Sequence, residues 1–159
     1  MSQFDPALLQ AYRLARYEVI PPGGAAIRLR VDAPCPALDD ALDAAGFAQA
    51  ALLAADNPRG ALCSEAENAA ARAALDATLA AAGVTAWPGV GGEPERPGSN
   101  AGRDRWPDEV HRLALGLDPE QALSWGVRLR QNAVLHVRRG GAVRLLLCPI
   151  GDDESTRGR

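Results

Sequence analysis

The chain has 159 residues and a formal charge of −3, which is one domain's worth of sequence with no overall positive field to draw in nucleic acid or an anionic membrane. Hydrophobic residues make up 47% but aromatics only 4%, so Leu, Val and Ala must fill a core that this length can build without disulfides or metal. All 17 basic residues are arginine, which reads, with the excess of Ala, Gly and Pro, as genome composition bias.

The N-terminus, Met1-Ser2-Gln3-Phe4-Asp5-Pro6, has no basic segment leading into an apolar run, so no signal peptide is expected. No apolar stretch approaches the ~20 residues that span a bilayer. Cys35, Cys63 and Cys148 are an odd count without a Cys-x-x-Cys pair, against both a disulfide framework and a thiolate zinc site. The expected location is the cytoplasm, with no cofactor, no metal and no membrane partner.

Asp5 and Pro6 open a helix expected to run to about Tyr17, with Leu8, Leu9 and Tyr12 along one side. After Pro21-Pro22-Gly23-Gly24, the alternation Ile27-Arg28-Leu29-Arg30-Val31 describes a strand with its arginines outward. Pro36 begins a second helix that Gly46 ends. Residues 48–55 are apolar except for Gln49 and suit a strand covered on both faces. Asp56-Asn57-Pro58-Arg59-Gly60 is a loop, and Ser64 with Glu67 has the spacing of a capping box for a helix reaching Gly83.

Residues 88–105, rich in Gly, Pro and charge, are expected to form a mobile surface loop; their Gly89-Val90-Gly91-Gly92 is only a weak echo of a phosphate loop. A strand over 110–117 follows, then a helix capped by Asp118 and running to about Arg130. Residues 132–138 and 142–148 form two strands joined at Gly140-Gly141, and the tail 151–159 is expected to be disordered. Together these elements give an α+β or mixed α/β fold in one globular domain, residues 1–150. Its single mixed sheet has about six strands, carries helices packed against it and ends in a β-hairpin.

The stretch 52–72 carries the strongest functional signal. A buried strand ends in a polar loop with a helix N-terminus behind it, and strand ends and helix N-termini are where ligands and anions collect. Arg59 can offer a bidentate fork, with Asn57 and Asn68 as amide partners; turn formation and capping alone would also account for these residues. Cys63 precedes the capped helix, but its only available bases, His111 and His136, lie far off in sequence, so an inert thiol is expected. The two histidines lack metal-ligand spacing, and His136 is expected on a solvent-facing strand surface. Asp108 and Glu109 are adjacent, so at most one of them enters a pocket, and Trp106 reads as a packing aromatic beside it.

Ala54-Ala55-Asp56-Asn57-Pro58-Arg59, then Ser64-x-x-Glu67-Asn68, Trp106 with Glu109, Gly116 and Gln131-Asn132-Ala133 occur in that order. This succession resembles the bacterial family catalogued as domain of unknown function 3293, over nearly the whole chain. The chain departs from the family's pattern in having Ala54 for Thr, Gly60 for Ser, and Arg130 for the Gly before Gln131. The resemblance implies a small cytosolic domain, carries no activity with it, and favours Glu109 as a site residue.

Three functions follow from these residues. In the first, a binding or regulatory module uses the Asn57-Pro58-Arg59 loop, Asn68, Trp106, Glu109 and Gln131 to hold a small anionic ligand or a protein partner. In the second, a small enzyme uses Glu109 as acid or base and Arg59 as anion clamp. In the third, Arg28, Arg30, Arg128, Arg130, Arg138, Arg139 and Arg144 gather into a nucleic-acid surface, which the scarcity of aromatics for base stacking argues against. The first is preferred, because no nucleophile–base pair or cofactor fingerprint stands out; oligomeric state is not legible.

Overall fold

The structure, a computed structural model, describes residues 4–94 and 106–149. The first helix, α1 (Pro6–Leu14), is capped by Asp5, whose carboxylate accepts from Ala7 N at 2.8 Å. It stops three residues short of the expected Tyr17. Arg16–Val19 form β1, in which Tyr17 and Val19 turn inward, and β2 (Ile27–Leu29) pairs back onto it. The helix α2 (Pro36–Ala45) ends at Gly46 in the left-handed conformation that glycine adopts without strain. The remaining strands are β3 (Gln49–Ala54), β4 (Ala86–Gly92), β5 (Glu109–Leu115), β6 (Ala133–Arg138) and β7 (Arg144–Leu147), with α3 (Glu65–Ala81) and α4 (Pro119–Arg128) between them. Asp118 and Gln121 close a complete capping box on α4, and Ser64 caps α3 by accepting from Glu67 N.

The fold is α+β, with one seven-stranded sheet in the order β2-β1-β4-β5-β3-β6-β7. Two of its strands, β1 and β4, lie where the end of a helix and a surface loop were expected. Every named ladder is antiparallel, and the one parallel contact among the described residues is the isolated bridge Val31–Val143. That bridge and Pro34–Ala142 join the segment after β2 to the segment before β7, so the sheet curls until its two edges meet. One apolar cluster therefore draws on both edges, Leu29 and Val143, together with Leu52, Leu113, Val137 and the wholly buried Leu38 and Leu42 of α2. It marks the inner face. The outer face packs Ala51, Leu53, Ala114 and Val134 against Leu75 and Leu79 of α3 and Ala122 and Trp125 of α4.

Residues 88–92, expected at the start of a mobile loop, are instead strand, the greater part of β4. Its glycines are spaces for neighbours rather than hinges. A Cβ at Gly91 would overlap the His111 ring, and one at Gly92 would overlap the Asp108 carboxylate. The rest of that loop, 95–105, and the tail 151–159 lie outside the described residues. His136 is also not on a solvent face. It is buried at 2% exposure with Nε2 3.0 Å from the Leu117 carbonyl, because the chain leading into α4 crosses the outer side of β6.

Gly126, inside α4, carries a packing prediction. A Cβ there would meet Cys148 Sγ and, at 2.8 Å, Val134 Cγ1. At an open helix position alanine is better than glycine by about 0.5–1 kcal/mol. Overpacking a rigid core costs about 1–3 kcal/mol, so it wins here. Gly126→Ala should lower the urea midpoint at unchanged slope; a raised midpoint would mean that α4 moves away at no cost.

Candidate functional site

β3 ends in a buried polar corner. Asp56 and Asn57 are each 3% exposed, and Asn57 takes the left-handed conformation (φ 47°, ψ 58°), which asparagine tolerates better than most residues. Both ends of its side chain are used. Oδ1 accepts from Cys63 N (2.9 Å) and Asn68 Nδ2 (3.0 Å), while Nδ2 donates to Glu109 Oε1 (2.9 Å). Its backbone N–H donates to Asn68 Oδ1 at 3.0 Å, so the two amides form a closed pair. Asn68 can take part because Ser64 caps α3 and so holds the first turn of that helix against the corner.

Glu109, the first residue of β5, receives a second donor on the same oxygen, Trp106 Nε1 at 3.0 Å. Its other oxygen, Oε2, lies 4.0 Å from His111 Nε2. Asp56 serves the frame behind the site. Its Oδ2 accepts from Val110 N (3.0 Å), its Oδ1 faces Arg72 Nε at 3.1 Å, and its carbonyl accepts from Gln131 Nε2 (3.1 Å). One network thus joins the end of β3, the first turn of α3, the start of β5 and the turn before β6.

In front of this network, on the inner face, lies a cavity of about 440 Å³. That is within the range of small-molecule sites. Its floor is Leu52, Ala54, Leu135 and Leu145, and Asn57, Glu109, His111, Gln131 and Asn132 stand at its polar end. Its roof is α1, through Leu8, Ala11, Tyr12 and Leu14, with the C-cap Ala15 beside them. No residue of α1 is buried, so the helix rests over the cavity rather than being sunk into the core. Two tyrosines pin it: Tyr17 Oη donates to the Tyr12 carbonyl (2.8 Å) and Asn132 Nδ2 donates to Tyr12 Oη (3.2 Å).

Burial sets the charge states. Desolvation raises the Glu109 pKa above its ordinary 4.5, and the Asn57 and Trp106 donors only partly offset this. Desolvation drops His111 to about 4, so its imidazole is neutral. The ring stacks near Tyr17 (centroids 6.1 Å apart), and its Nδ1 has no hydrogen-bond partner among the described residues. Tyr12 and Tyr17 are both raised by desolvation and remain protonated.

The structure gathers Asn57, Trp106, Glu109 and Gln131 at the cavity, with Asn68 directly behind Asn57. Arg59 does not line it. Its backbone N–H donates to the Arg130 carbonyl (2.7 Å), and its buried Nη1 finds no partner among the described residues. Asp108 turns away from Glu109 to pair with Arg16 at 2.6 Å. The Cys63 thiol is raised by desolvation and by Glu67, the reverse of what a nucleophile needs. Of the arginines considered for nucleic acid, Arg28 pairs with Glu18 and Arg139 with Asp43. Sequence reasoning missed His111, Tyr12, Tyr17 and Asn132 as site residues. For His111 a signal existed, since residues two apart on a strand share a face and Glu109 is two residues away.

Among the described residues no three His, Cys, Asp or Glu side chains come together as a metal site, and no helix is long and apolar enough to cross a membrane. The profile of the family described as "Protein of unknown function (DUF3293)" matches residues 53–134. That segment runs from the end of β3 through the start of β6 and contains the whole hydrogen-bonded network. No curated protein and no solved structure matches the chain.

His111 and Glu109 give opposite pH dependences. His111 binds its proton more weakly when folded, so its contribution to stability is present above 6.5 and is lost as pH falls towards about 4. The full loss is on the order of 3 kcal/mol, from the energy of one pKa unit. Glu109, raised by folding, instead favours the folded state as pH falls. Urea midpoints of the wild type should decline between these pH values, and His111→Gln should flatten the decline, the remaining slope belonging to His136, which is also lowered. An unchanged slope in the variant would mean that His111 is not desolvated.

Proposed function

Since the chain belongs to that family, whose description states no activity, we propose from the site itself that the domain is a small-molecule binding module. Its ligand occupies the cavity beneath α1, against the Asn57-Pro58-Arg59 corner. The observation that carries this reading is the treatment of Glu109. A carboxylate is drawn out of water into a mostly apolar cavity, and one of its oxygens is fixed by two donors from separate elements. Its second oxygen has no hydrogen bond among the described residues. Holding a carboxylate there costs stability, which a role in folding would not repay.

Asn57 and Asn68 support this reading as positioning residues, since Asn57 holds Glu109 and Asn68 holds Asn57. Gln131 and Asn132 add polar groups at the same end, so a ligand with one polar head and an apolar body fits the lining. The position of Arg59 outside the lining favours a head group other than an anion.

A second reading has one observation in its favour. A carboxyl group with raised pKa, beside a neutral imidazole 4.0 Å away, is the pairing used in general acid–base catalysis. On that reading Glu109 moves a proton on the same bound molecule.

A thermal-shift screen over metabolite-like compounds tests the cavity directly. A compound at ~100 times its dissociation constant should stabilise the wild type by about 2.7 kcal/mol. Ala54→Leu fills the cavity floor, where Ala54 pairs with His111 across the strands, and should abolish the shift while leaving the fold intact. A shift that survives Ala54→Leu would place the ligand elsewhere and refute the reading.

A further inference from the structure

Two groups at the polar end of the cavity face each other without touching. Glu109 Oε1 accepts from Asn57 Nδ2 and Trp106 Nε1, so Oε2 is the oxygen left to accept from anything else. His111 Nε2 lies 4.0 Å from that oxygen, beyond hydrogen-bond length. Neither side chain is free to close the gap. Glu109 is held by its two donors, and the His111 ring, 8% exposed, fills the space that a side chain at Gly91 would need.

The surroundings of the ring place its proton. A neutral imidazole carries one N–H and one bare nitrogen. Nδ1 is buried without a hydrogen-bond partner among the described residues, and an unbonded N–H is rarer inside proteins than an unbonded acceptor. Nε2 is the nitrogen beside the carboxylate, which favours an N–H at that position. Both considerations put the proton on Nε2. The pair is therefore one donor and one acceptor.

We propose that the cavity takes a neutral hydroxyl compound, an alcohol on an apolar body, whose hydroxyl bridges Glu109 Oε2 and His111 Nε2. One oxygen reaches both groups at ordinary hydrogen-bond length, accepting from the Nε2 N–H and donating to the carboxylate. A hydroxyl offers both functions on a single atom. An ether or a ketone cannot donate, and an ammonium cannot accept. Water can make the same two bonds, so a ligand that enters without a hydroxyl forfeits them. Leu52, Leu135 and Leu145 of the floor and Leu8 of α1 take the apolar body.

This inference rests on the cavity being the binding site, and two measurements separate the claims. The first needs no ligand. Nitrogen NMR of the labelled histidine rings should show His111 with Nε2 protonated and Nδ1 bare, the His136 signals being identified by their loss in His136→Gln. A proton on Nδ1 overturns the hydroxyl proposal and leaves the cavity reading standing.

The second is calorimetric titration of the full chain at neutral to mildly alkaline pH. Phenethyl alcohol, its methyl ether and phenethylammonium share one aromatic body and differ in the head group. The alcohol should bind at least about tenfold tighter than either of the others, as one unmade hydrogen bond requires. His111→Phe keeps a ring and removes the donor, and should bring the alcohol down to the affinity of the ether. Ala54→Leu should abolish binding of all three. An ether or ammonium that matches the alcohol on the wild type, with binding lost in Ala54→Leu, overturns the hydroxyl proposal alone. Binding that survives Ala54→Leu, or binding of none of the three, overturns both.

Discussion

The arrangement depends on the side chain of Asn57. One amide closes the corner after β3, receives the backbone of Cys63, pairs with Asn68 and holds Glu109. Each of these bonds is worth about 1 kcal/mol net in a typical setting, but a buried donor or acceptor left alone costs more than that. Three elements meet at this amide, and losing it would orphan groups on all of them. The left-handed backbone at Asn57 is tolerable because the bonds around it over-determine the corner.

From that corner the rest of the site follows. β3 presents Leu52 and Ala54 to the inner face and Ala51 and Leu53 to the outer, so a small side chain sits where the cavity needs room. β4 contributes glycines where His111 and Asp108 need space. The outer face is packed solid by two helices, whereas the inner face is filled by α2 at one end and left open beneath α1 at the other. Stability and site are thus divided between the two faces of a single curled sheet.

Much of this was legible in the sequence, for physical reasons that can be named. Pro and Gly at helix ends, the caps Asp118 and Ser64 and the alternation of β2 are local signals that the structure bears out, although the Ser64–Glu67 box forms only its Ser64 half. The succession Asn57-Pro58, Asn68, Trp106, Glu109 and Gln131 was visible through the family pattern, and those residues share one network. What failed was non-local. Residues 88–92 were taken for a loop because glycine and proline punctuate loops, yet these glycines answer to His111, some twenty residues onward. β1 was merged into the first helix because Tyr17 and Val19 announce a strand only once β2 and β4 exist to pair with it. His136 looked exposed because it shares a strand face with Val134 and Arg138, but the chain entering α4 lies over that face. Tyr12, Tyr17 and Asn132 come from opposite ends of the chain, and only the curl of the sheet brings them to one cavity. Arg59 had the chemistry of a clamp, and the corner turns it away from the lining.

The central claim is that Asn57 holds a desolvated Glu109 at the cavity, and the Glu109 titration, followed by NMR of its carboxyl carbon, tests it most directly. Asn57→Gly is the informative variant, because glycine accepts the left-handed backbone and only the amide is lost. The account predicts that Glu109 in the wild type titrates above its ordinary 4.5, and higher again in Asn57→Gly, where the neutral acid has lost a competitor that favoured its ionised form. A wild-type value at or below 4.5, unmoved by Asn57→Gly, would mean that Glu109 is a solvated surface acid and that the corner does not build the site.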